Sequence, residues 1–495
     1  MSDLFSVQGI LALLLGGLYG SIFGAIPGLT ATLAVALFIP IAFFLDPSVA
    51  LPAIIAISSV AIFAGDVGST VAKIPGTPAS AAYFGQLFRL SRKEGPLYSL
   101  GISAIGSAIG GVIGALLLIL TASLIVMVAR QFSSFEYFWI AVLGLMAGVF
   151  ASGGSALKSF ASLLLGLLFA TVGVDPTLGF PRFHFGNAQL MGGLNYIVAM
   201  IGLFGFSEVL GHVFRPEKNF EAELEAERSA RAFFMRPMLL ILQKKWLVIR
   251  SSLVGVMVGF LPGAGADIGS WVSSSIEKIK SKGKGDAEHD DEIILAGTSS
   301  NNAAVASAWI PALSLGLPGD TITAIVLGIF MMKGISPGPL LFDQQPELIT
   351  SLYLTFIISN VILLPCFGYL SALMAKKLIK TPMPLLLSVV TALCIVGAYA
   401  INNDVFDVWI MAGMGLLAFL LKRGGFPLAQ VVLGMVLGPI LEQNFMVSAI
   451  KSRWDMSSFF DRPVALILMA ATILIIYLGV KYSGKMFKQP DTEID

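Results

Sequence analysis

Four apolar stretches in this chain, each long enough to enter a bilayer, are broken by a Pro-Gly pair. The stretches are 9–45, broken at Pro27-Gly28; 50–88, at Pro75-Gly76; 246–276, at Pro262-Gly263; and 293–333, at Pro318-Gly319. No helix runs unperturbed through Pro followed by Gly, because a backbone donor is lost and helical order is weakened. Unpaired backbone at membrane depth persists only where protein buries it or where it lines a wet cavity. Nine further runs are unbroken: 98–128, 135–152, 157–174, 190–212, 347–375, 383–401, 405–421, 426–443 and 463–481. A helical span needs about 20 apolar residues. Of 495 residues, 56% are hydrophobic and 12% charged, too little charge to coat a set of soluble domains. An all-α polytopic membrane protein is the expected fold class.

The few charges are ordered. Basic clusters stand at Arg89, Arg92 and Lys93; at Lys278, Lys280, Lys282 and Lys284; at Lys376, Lys377 and Lys380; at Lys422 and Arg423; and at Lys481, Lys485 and Lys488. The positive-inside rule assigns these to the cytoplasm. The segments around Asp46, 175–184, 402–404 and 442–444 are poor in Lys and Arg and are expected outside, with Arg130 a lone basic exception on that side. A net charge of +1 gives no basic surface for nucleic acid. Cys366 and Cys394 lie in apolar runs and are expected as buried thiols, without a disulfide framework. The N-terminus lacks the basic region and cleavage site of a signal peptide, so the first apolar stretch is expected to remain.

The chain also repeats itself. GSIFGAIPGLTA (20–31) returns as GVMVGFLPGAGA (255–266), so that Gly20, Gly24, Pro27, Gly28 and Ala31 recur 235 residues later. Pro75, Gly76, Gly85 and Gly95-Pro96 recur 243 residues later as Pro318, Gly319, Gly328 and Gly338-Pro339. Equivalent loops carry opposite charge: none near Asp46 but four Lys in 277–285, and a basic 89–93 against a single Lys333. Two inverted-topology repeats with discontinuous or re-entrant helices are therefore expected, at 1–214 and 241–495, joined by a solvated cytoplasmic connector at 215–240. Such repeats are the build of secondary transporters, with the site near mid-membrane where the breaks meet.

Three constellations carry candidate chemistry. At the first break, the amide of Gly28 and the hydroxyls of Thr30 and Thr32 can meet an anion or supply oxygens to a cation; its partner offers Gly263, Gly265 and Asp267. A carboxylate at that depth marks an ion or substrate path, and it also suits the start of a helix; the two roles are compatible. The second pair, IPGTPASAA (74–82) and LPGDTITAI (317–325), reads as a turn followed by a helix start, with Gly76, Thr77 and Ser80 in one and Gly319, Asp320 and Thr321 in the other. A helix N-terminus with free amides suits a carboxylate ligand, and the alternative is a plain kink. Just upstream, Asp66 and Lys73 stand seven apart; they either neutralise each other or leave Lys73 as an anion counter-charge. The third is Ser299, Ser300, Asn301 and Asn302, where neutral oxygens suit a small hard cation or a carboxylate, the alternative being the frayed start of a helix.

Together these motifs resemble the large membrane subunit of tripartite tricarboxylate transporters, the TctA family: GxxxGxxPGLTAT, IPGTPASAA, LPGAGA, SSNNAA, and LGLPGD followed by GISPGPLLF, in the family's order over nearly the whole chain. The resemblance implies uptake of a di- or tricarboxylate across the bacterial inner membrane, driven by a cation gradient. It also implies two partners besides the lipid bilayer: a periplasmic solute-binding protein and a small membrane subunit. No cofactor is implied beyond a coupling sodium or proton. Carried over by position, substrate and ion contacts fall in 27–32, 75–80, 262–267, 299–302 and 318–321. The chain departs from the common pattern at Gly297 and Thr298, where many members have Pro-Glu, and at Asp66 and Lys73, where many are neutral. These departures widen the expected substrate beyond citrate to other mono- and dicarboxylates.

Rival classes leave weaker traces. LPGD at 317–320 has Leu317 where the GxGD signature of intramembrane proteases needs Gly. His184, His212 and His289 are too scattered for a zinc enzyme, and KGKGD at 282–286 lacks Walker spacing. No enzyme is expected. An anion-selective channel and a stand-alone carboxylate symporter remain the nearest alternatives, since polar broken helices also line pores.

Overall fold

The computed structural model describes residues 4–26, 29–151, 155–175, 177–214, 229–263, 265–281, 289–379 and 381–482. Pro27 and Gly28, residues 215–228, Lys282, Lys284, Lys380, Lys485 and Lys488 lie outside them. In the first half, α1 (Val7–Ala25) and α2 (Ala31–Phe44) flank the first break. Then α3 (Pro47–Ala64) runs into a short α4 (Asp66–Ala72), and after the second break come α5 (Phe84–Glu94) and the long α6 (Pro96–Ala129). The half continues with α7 (Ser134–Ala151), α8 (Ala156–Ala170), a two-stranded ribbon of β1 (Gly173–Val174) and β2 (Pro181–Arg182), α9 (Tyr196–Met200), a π-helical stretch Ile201–Phe206, and α10 (Ser207–Phe214).

After α11 (Ala230–Gln243) the pattern restarts: α12 (Lys245–Phe260), α13 (Ala266–Ser281), α14 (Asp290–Ser307), α15 (Trp309–Leu315) and α16 (Thr321–Met332). Beyond a short α17 (Leu341–Gln344), α18 (Pro346–Ile358) passes through a π-helical turn, Ser359–Leu363, into α19 (Leu364–Ile379). Four helices complete the chain: α20 (Met383–Asn402), α21 (Val405–Arg423), α22 (Leu428–Lys451) and α23 (Pro463–Tyr482). Among the described residues, nine helical segments are long and apolar enough to cross a membrane. The all-α polytopic reading holds.

Helix limits differ from expectation in places that have local causes. The run 157–174 ends at Ala170, because Gly173 turns at φ +109° into the ribbon. The run 190–212 begins only at Tyr196, capped by Asn195, after a 3-10 turn at Ala188–Gly192. Ser299, Ser300, Asn301 and Asn302 sit well inside α14, nine or more residues from its start, so they are not a frayed end. The last part of the connector is helical and packed: Phe233 of α11 is fully buried, its carbonyl against Gly101 of α6. Cys366 is exposed beside Val361 and Ile362 on the outward face of its helix, whereas Cys394 is buried as expected.

The duplication reaches down to individual contacts. α3 and α14 have the same length and the same 243-residue offset at both ends, as do α4 and α15. Lys73 and Gly316 end the latter pair in the same left-handed conformation. A methyl group built on Gly24 falls 2.3 Å from the Ala61 carbonyl, and one on Gly259 falls 2.2 Å from that of Ala304. Each hairpin thus lies with bare backbone against the helix that follows it. Overpacking such a crossing costs about 1–3 kcal/mol. Gly259→Leu is accordingly expected to lower the melting temperature of the detergent-purified protein by several degrees, while Gly211→Ala, with open space around it, leaves the melt unchanged.

Ion pairs keep to one expected face of the bilayer. On the side assigned inside are Arg89–Asp290, Arg236–Glu94, Lys244–Glu292, Arg250–Glu277 and Lys422–Glu208. On the other are Arg130–Asp343, Arg182–Glu442 and Arg462–Glu136. Among the described residues no pair joins the two sets, and Arg130, the exception by charge, is neutralised by Asp343. Leu4 shares a surface cavity with Asp46, Pro47 and Lys333, so the start of α1 and the end of α2 lie together. Arg250 and Glu277 join α12 and α13 by an ion pair on the side assigned inside.

Candidate functional site

All four breaks meet at one cleft of about 500 Å³. Thr30, Ala31 and Thr32 come from the first, Thr77 and Pro78 from the second, Gly265, Ala266 and Asp267 from the third, and Asp320, Thr321 and Ile322 from the fourth. The rest of the lining comes from Phe204, Glu208, Lys422 and the loop 425–427, with Leu428 and Ala429 at the start of α22. Through that loop, whose Gly425 is exposed, the cleft reaches the surface on the side of Lys422 and Arg423.

Four helix N-termini bound this space, those of α2, α13, α16 and α22, and the first and third are built by local side-chain caps. Thr30 caps α2, its hydroxyl accepting from the Leu33 N–H at 3.2 Å. Asp320 caps α16 in a reciprocal box: the Thr323 N–H donates to its carboxylate at 2.7 Å, and its own N–H donates to the Thr323 hydroxyl at 2.9 Å. Asp267 stands in the first turn of α13 and accepts from the Ala79 N–H. Helix N-termini carry partial positive charge and free amides, so capping and ligand contact share the same place. At the second break the turn is 3-10 rather than α-helical: Thr77 and Ser80 exchange backbone-to-hydroxyl bonds of 3.0 and 3.1 Å, and α5 begins only at Phe84.

The breaks are fastened to one another. The Gly263 N–H donates to the Pro318 carbonyl at 3.1 Å and the Gly265 N–H to that of Gly319 at 3.3 Å. Across the halves, Ser270 donates to the Ala79 carbonyl at 3.1 Å and Trp271 to that of Pro78 at 3.0 Å. The Pro318 and Gly319 carbonyls are thus met by amides of the third break and those of Pro78 and Ala79 by side chains of α13, which offsets their burial.

Of the residues singled out in the sequence, Thr30, Thr32, Thr77, Gly265, Asp267, Asp320 and Thr321 line the cleft. Gly76, Ser80, Gly263 and Gly319 lie behind it as supports, and Gly28 lies outside the described residues. Lys73 is exposed and does not face the cleft, nor does it pair with Asp66, which binds Tyr83 and Ser103 instead. Ser299, Ser300, Asn301 and Asn302 are buried within α14 and do not line the cleft either. Ser299 donates to the Leu295 carbonyl at 2.7 Å, and Asn302 to Asn360 in the π-helical turn at 3.5 Å. Ser300 Oγ, Asn301 Oδ1 and Asn302 Oδ1 are buried without a protein partner. Among the described residues no three His, Cys, Asp or Glu side chains form a metal-binding group.

Sequence reasoning missed Phe204, Glu208, Lys422 and residues 425–429. Their span-end charges read as topology, and the π-helical stretch that carries Phe204 has no composition signal. Such π-turns often mark functional positions. Three carboxylates line the cleft, Glu208, Asp267 and Asp320, against one ammonium, Lys422, which Glu208 already engages.

Interrupted helices folded onto a central cleft within an all-α bundle define a multi-pass membrane protein of the kind that moves solutes. The chain belongs to the tripartite tricarboxylate transporter TctA family, whose sequence profile matches residues 10–433. It is a membrane transporter component and not an enzyme. Two relatives come from Agrobacterium vitis. The "Uncharacterized 52.8 kDa protein in TAR-I ttuC' 3'region" is 32% identical over 94% of this chain and 92% of its own length. The "Uncharacterized protein in TAR-II ttuC' 3'region" is 34% identical over 46% of this chain and 93% of its own. No solved structure matches the chain.

Proposed function

We propose that this protein is the large membrane subunit of a binding-protein-dependent secondary transporter in the bacterial inner membrane, importing a small organic anion of the di- or tricarboxylate class together with a cation. The observation that carries the reading is the convergence of four separate breaks on one cleft. A carboxylate entering it meets the N-terminal ends of α2, α13 and α16, with the hydroxyls of Thr30, Thr32, Thr77 and Thr321 as neutral donors. Asp267 and Asp320 add negative charge at the same place, so an anion is accommodated only with positive charge beside it. That need supports coupling to sodium or protons. The buried oxygens of Ser300, Asn301 and Asn302 form a reserve behind α13.

Opposite loop charges in the two halves support inversion, and inverted halves support alternating access about the cleft. Opening toward Lys422 and Arg423 then corresponds to a cytoplasm-facing state. A periplasmic binding protein delivers the anion to the other face, and a small membrane subunit completes the transporter. The test is reconstitution with both partners into liposomes, followed by uptake of labelled citrate, succinate and tartrate. Saturable uptake that requires a cation gradient is expected, with loss of uptake on replacing Asn301 and Asn302 by Ala. Unsaturable flux with single-channel currents would establish a channel instead. Normal uptake by the Asn variant would remove those two residues from the site.

A further inference from the structure

Asp66 is a carboxylic acid at a helix start, a place that suits one, but here the place is fully buried. It begins α4, is 1% exposed, and lies among buried apolar side chains that include Val67, Leu100, Ala104 and Leu364. In the other half the position 243 residues on is Trp309, and the position matching Tyr83 is Val326; both are buried. The same junction is thus built once with an acid and a phenol and once with an indole and a valine. Burying an unpaired charge costs several kcal/mol or drives the group to its neutral form. A carboxyl kept at such a place needs a reason other than packing.

The groups around it are all hydroxyls. Tyr83 Oη lies 3.2 and 3.1 Å from the two carboxylate oxygens, and Ser103 Oγ binds the second of them. Hydroxyls donate to a carboxylate, and a serine hydroxyl also accepts from a carboxylic acid, so Ser103 can serve either protonation state by rotating. No basic side chain among the described residues pairs with Asp66. On α5, Arg89 binds Asp290, Arg92 lies over the Phe88 ring, Lys93 is exposed and Glu94 binds Arg236. On α19, Lys376 and Lys377 are exposed and Tyr369 packs on the Phe233 and Phe234 rings. On α6 the only other titratable group is Tyr98, beside Arg236, and on α3 there is none within the helix. Tyr83, which has Asp267 within electrostatic reach, is the titratable side chain that faces Asp66.

The pair also sits one contact from the cleft. A methyl group built on Gly65, next to Asp66, would stand 2.5 Å from Thr77 Cγ2, and one on Gly76 would stand 2.3 Å from the Gly65 carbonyl. Tyr83 ends the same turn and packs on Gly297, where any side chain would meet its ring at 2.5 Å. The protonation state of Asp66 therefore bears directly on the wall that carries Thr77.

We propose that Asp66, held by Tyr83 and Ser103, is a reversible proton-binding site, and that the proton it takes up and releases is the coupling cation. This rests on the transporter reading above and specifies its driving ion. The proton adds to a carboxylate oxygen and leaves from it, with no other bond made or broken. Two hydroxyls are the side-chain partners of Asp66, fewer oxygens than a hard cation collects.

Infrared difference spectra of the full-length protein, stepped from alkaline to acid pH, are expected to show a buried carboxylic acid band that is absent from Asp66→Asn and displaced in Tyr83→Phe. In liposomes with the membrane potential clamped, a gradient of about one pH unit supports about tenfold accumulation per coupled proton. Asp66→Asn is expected to bring accumulation of citrate, succinate or tartrate down to equilibration while exchange across the membrane continues, and Asp66→Glu to restore part of it. Absence of the titrating band overturns the proposal, as does undiminished pH-driven accumulation by Asp66→Asn. If the wild-type complex moves none of the three carboxylates, the substrate reading fails and the infrared band alone decides whether Asp66 binds a proton. Should Asp66→Asn fail to fold, Tyr83→Phe carries the spectral arm and Gly297→Ala, which crowds Tyr83, the transport arm.

Discussion

Gly319→Val is expected to reduce carboxylate uptake by at least about tenfold, the largest loss foreseen from a side chain that touches no ligand. A Cβ at that position would fall 2.6 Å from the Ala308 carbonyl and 2.7 Å from its Cα, so the loop must lift away from α15. Lifting it strains the bond from the Gly265 N–H to the Gly319 carbonyl and moves Asp320, which caps α16 at the edge of the cleft. One substitution therefore disturbs two of the four breaks. The matching change in the first half, Gly76→Val, meets the Gly65 carbonyl at 2.3 Å and is expected to act alike. Gly413→Ala, in a helix with nothing within 4 Å, serves as the control and should transport normally. Uptake rates normalised to protein in the membrane separate this effect from poor expression.

Reversing the charge of Lys422 is expected to lower uptake by about tenfold, after discounting for the screening of a side chain that is partly exposed. Lys422 pairs with Glu208 across the mouth of the cleft, and Lys422→Glu leaves two carboxylates facing each other where an anion must pass. The double variant Lys422→Glu with Glu208→Lys restores the pair and should recover most of the rate. Raising the salt concentration should narrow the gap between single variant and wild type, as expected of charges in contact with water. A single variant with normal uptake at low salt would place the path elsewhere.

Much of the architecture could be read from residue order because its signals are local. Pro47, Pro96 and Pro346 each open a helix where a missing N–H is harmless, and the Pro-Gly pairs mark the breaks directly. Asp320 is legible at a helix start for the same reason, whereas Thr30, read only as a hydroxyl for a ligand, also caps α2. What stayed hidden depends on partners distant in the chain. Lys422 belongs to the cleft only because α10 brings Glu208 against it, and a basic residue at a span end otherwise reports orientation alone. Asp66 and Lys73, seven residues apart, suggested a pair on one helical face. Lys73 instead adopts a left-handed conformation that ends α4 and turns the side chain outward, freeing Asp66 for Tyr83 and Ser103. The buried half of the connector depends on Phe233 finding a bare glycine, Gly101, in another helix.

The short α2 also bears on how a membrane voltage would be distributed. At 1.5 Å per residue, the 14 residues of α2 span about 21 Å, short of the roughly 30 Å hydrocarbon slab. A cleft filled with water from the Lys422 side up to Thr30 would confine the electrically resistive part of the molecule to the depth of α2. The same potential then drops over about two-thirds of the usual distance, and the field inside that septum rises by about 1.4-fold. Each elementary charge crossing it still exchanges about 2.3 kcal/mol per 100 mV with the membrane, now over a step of a few helical turns.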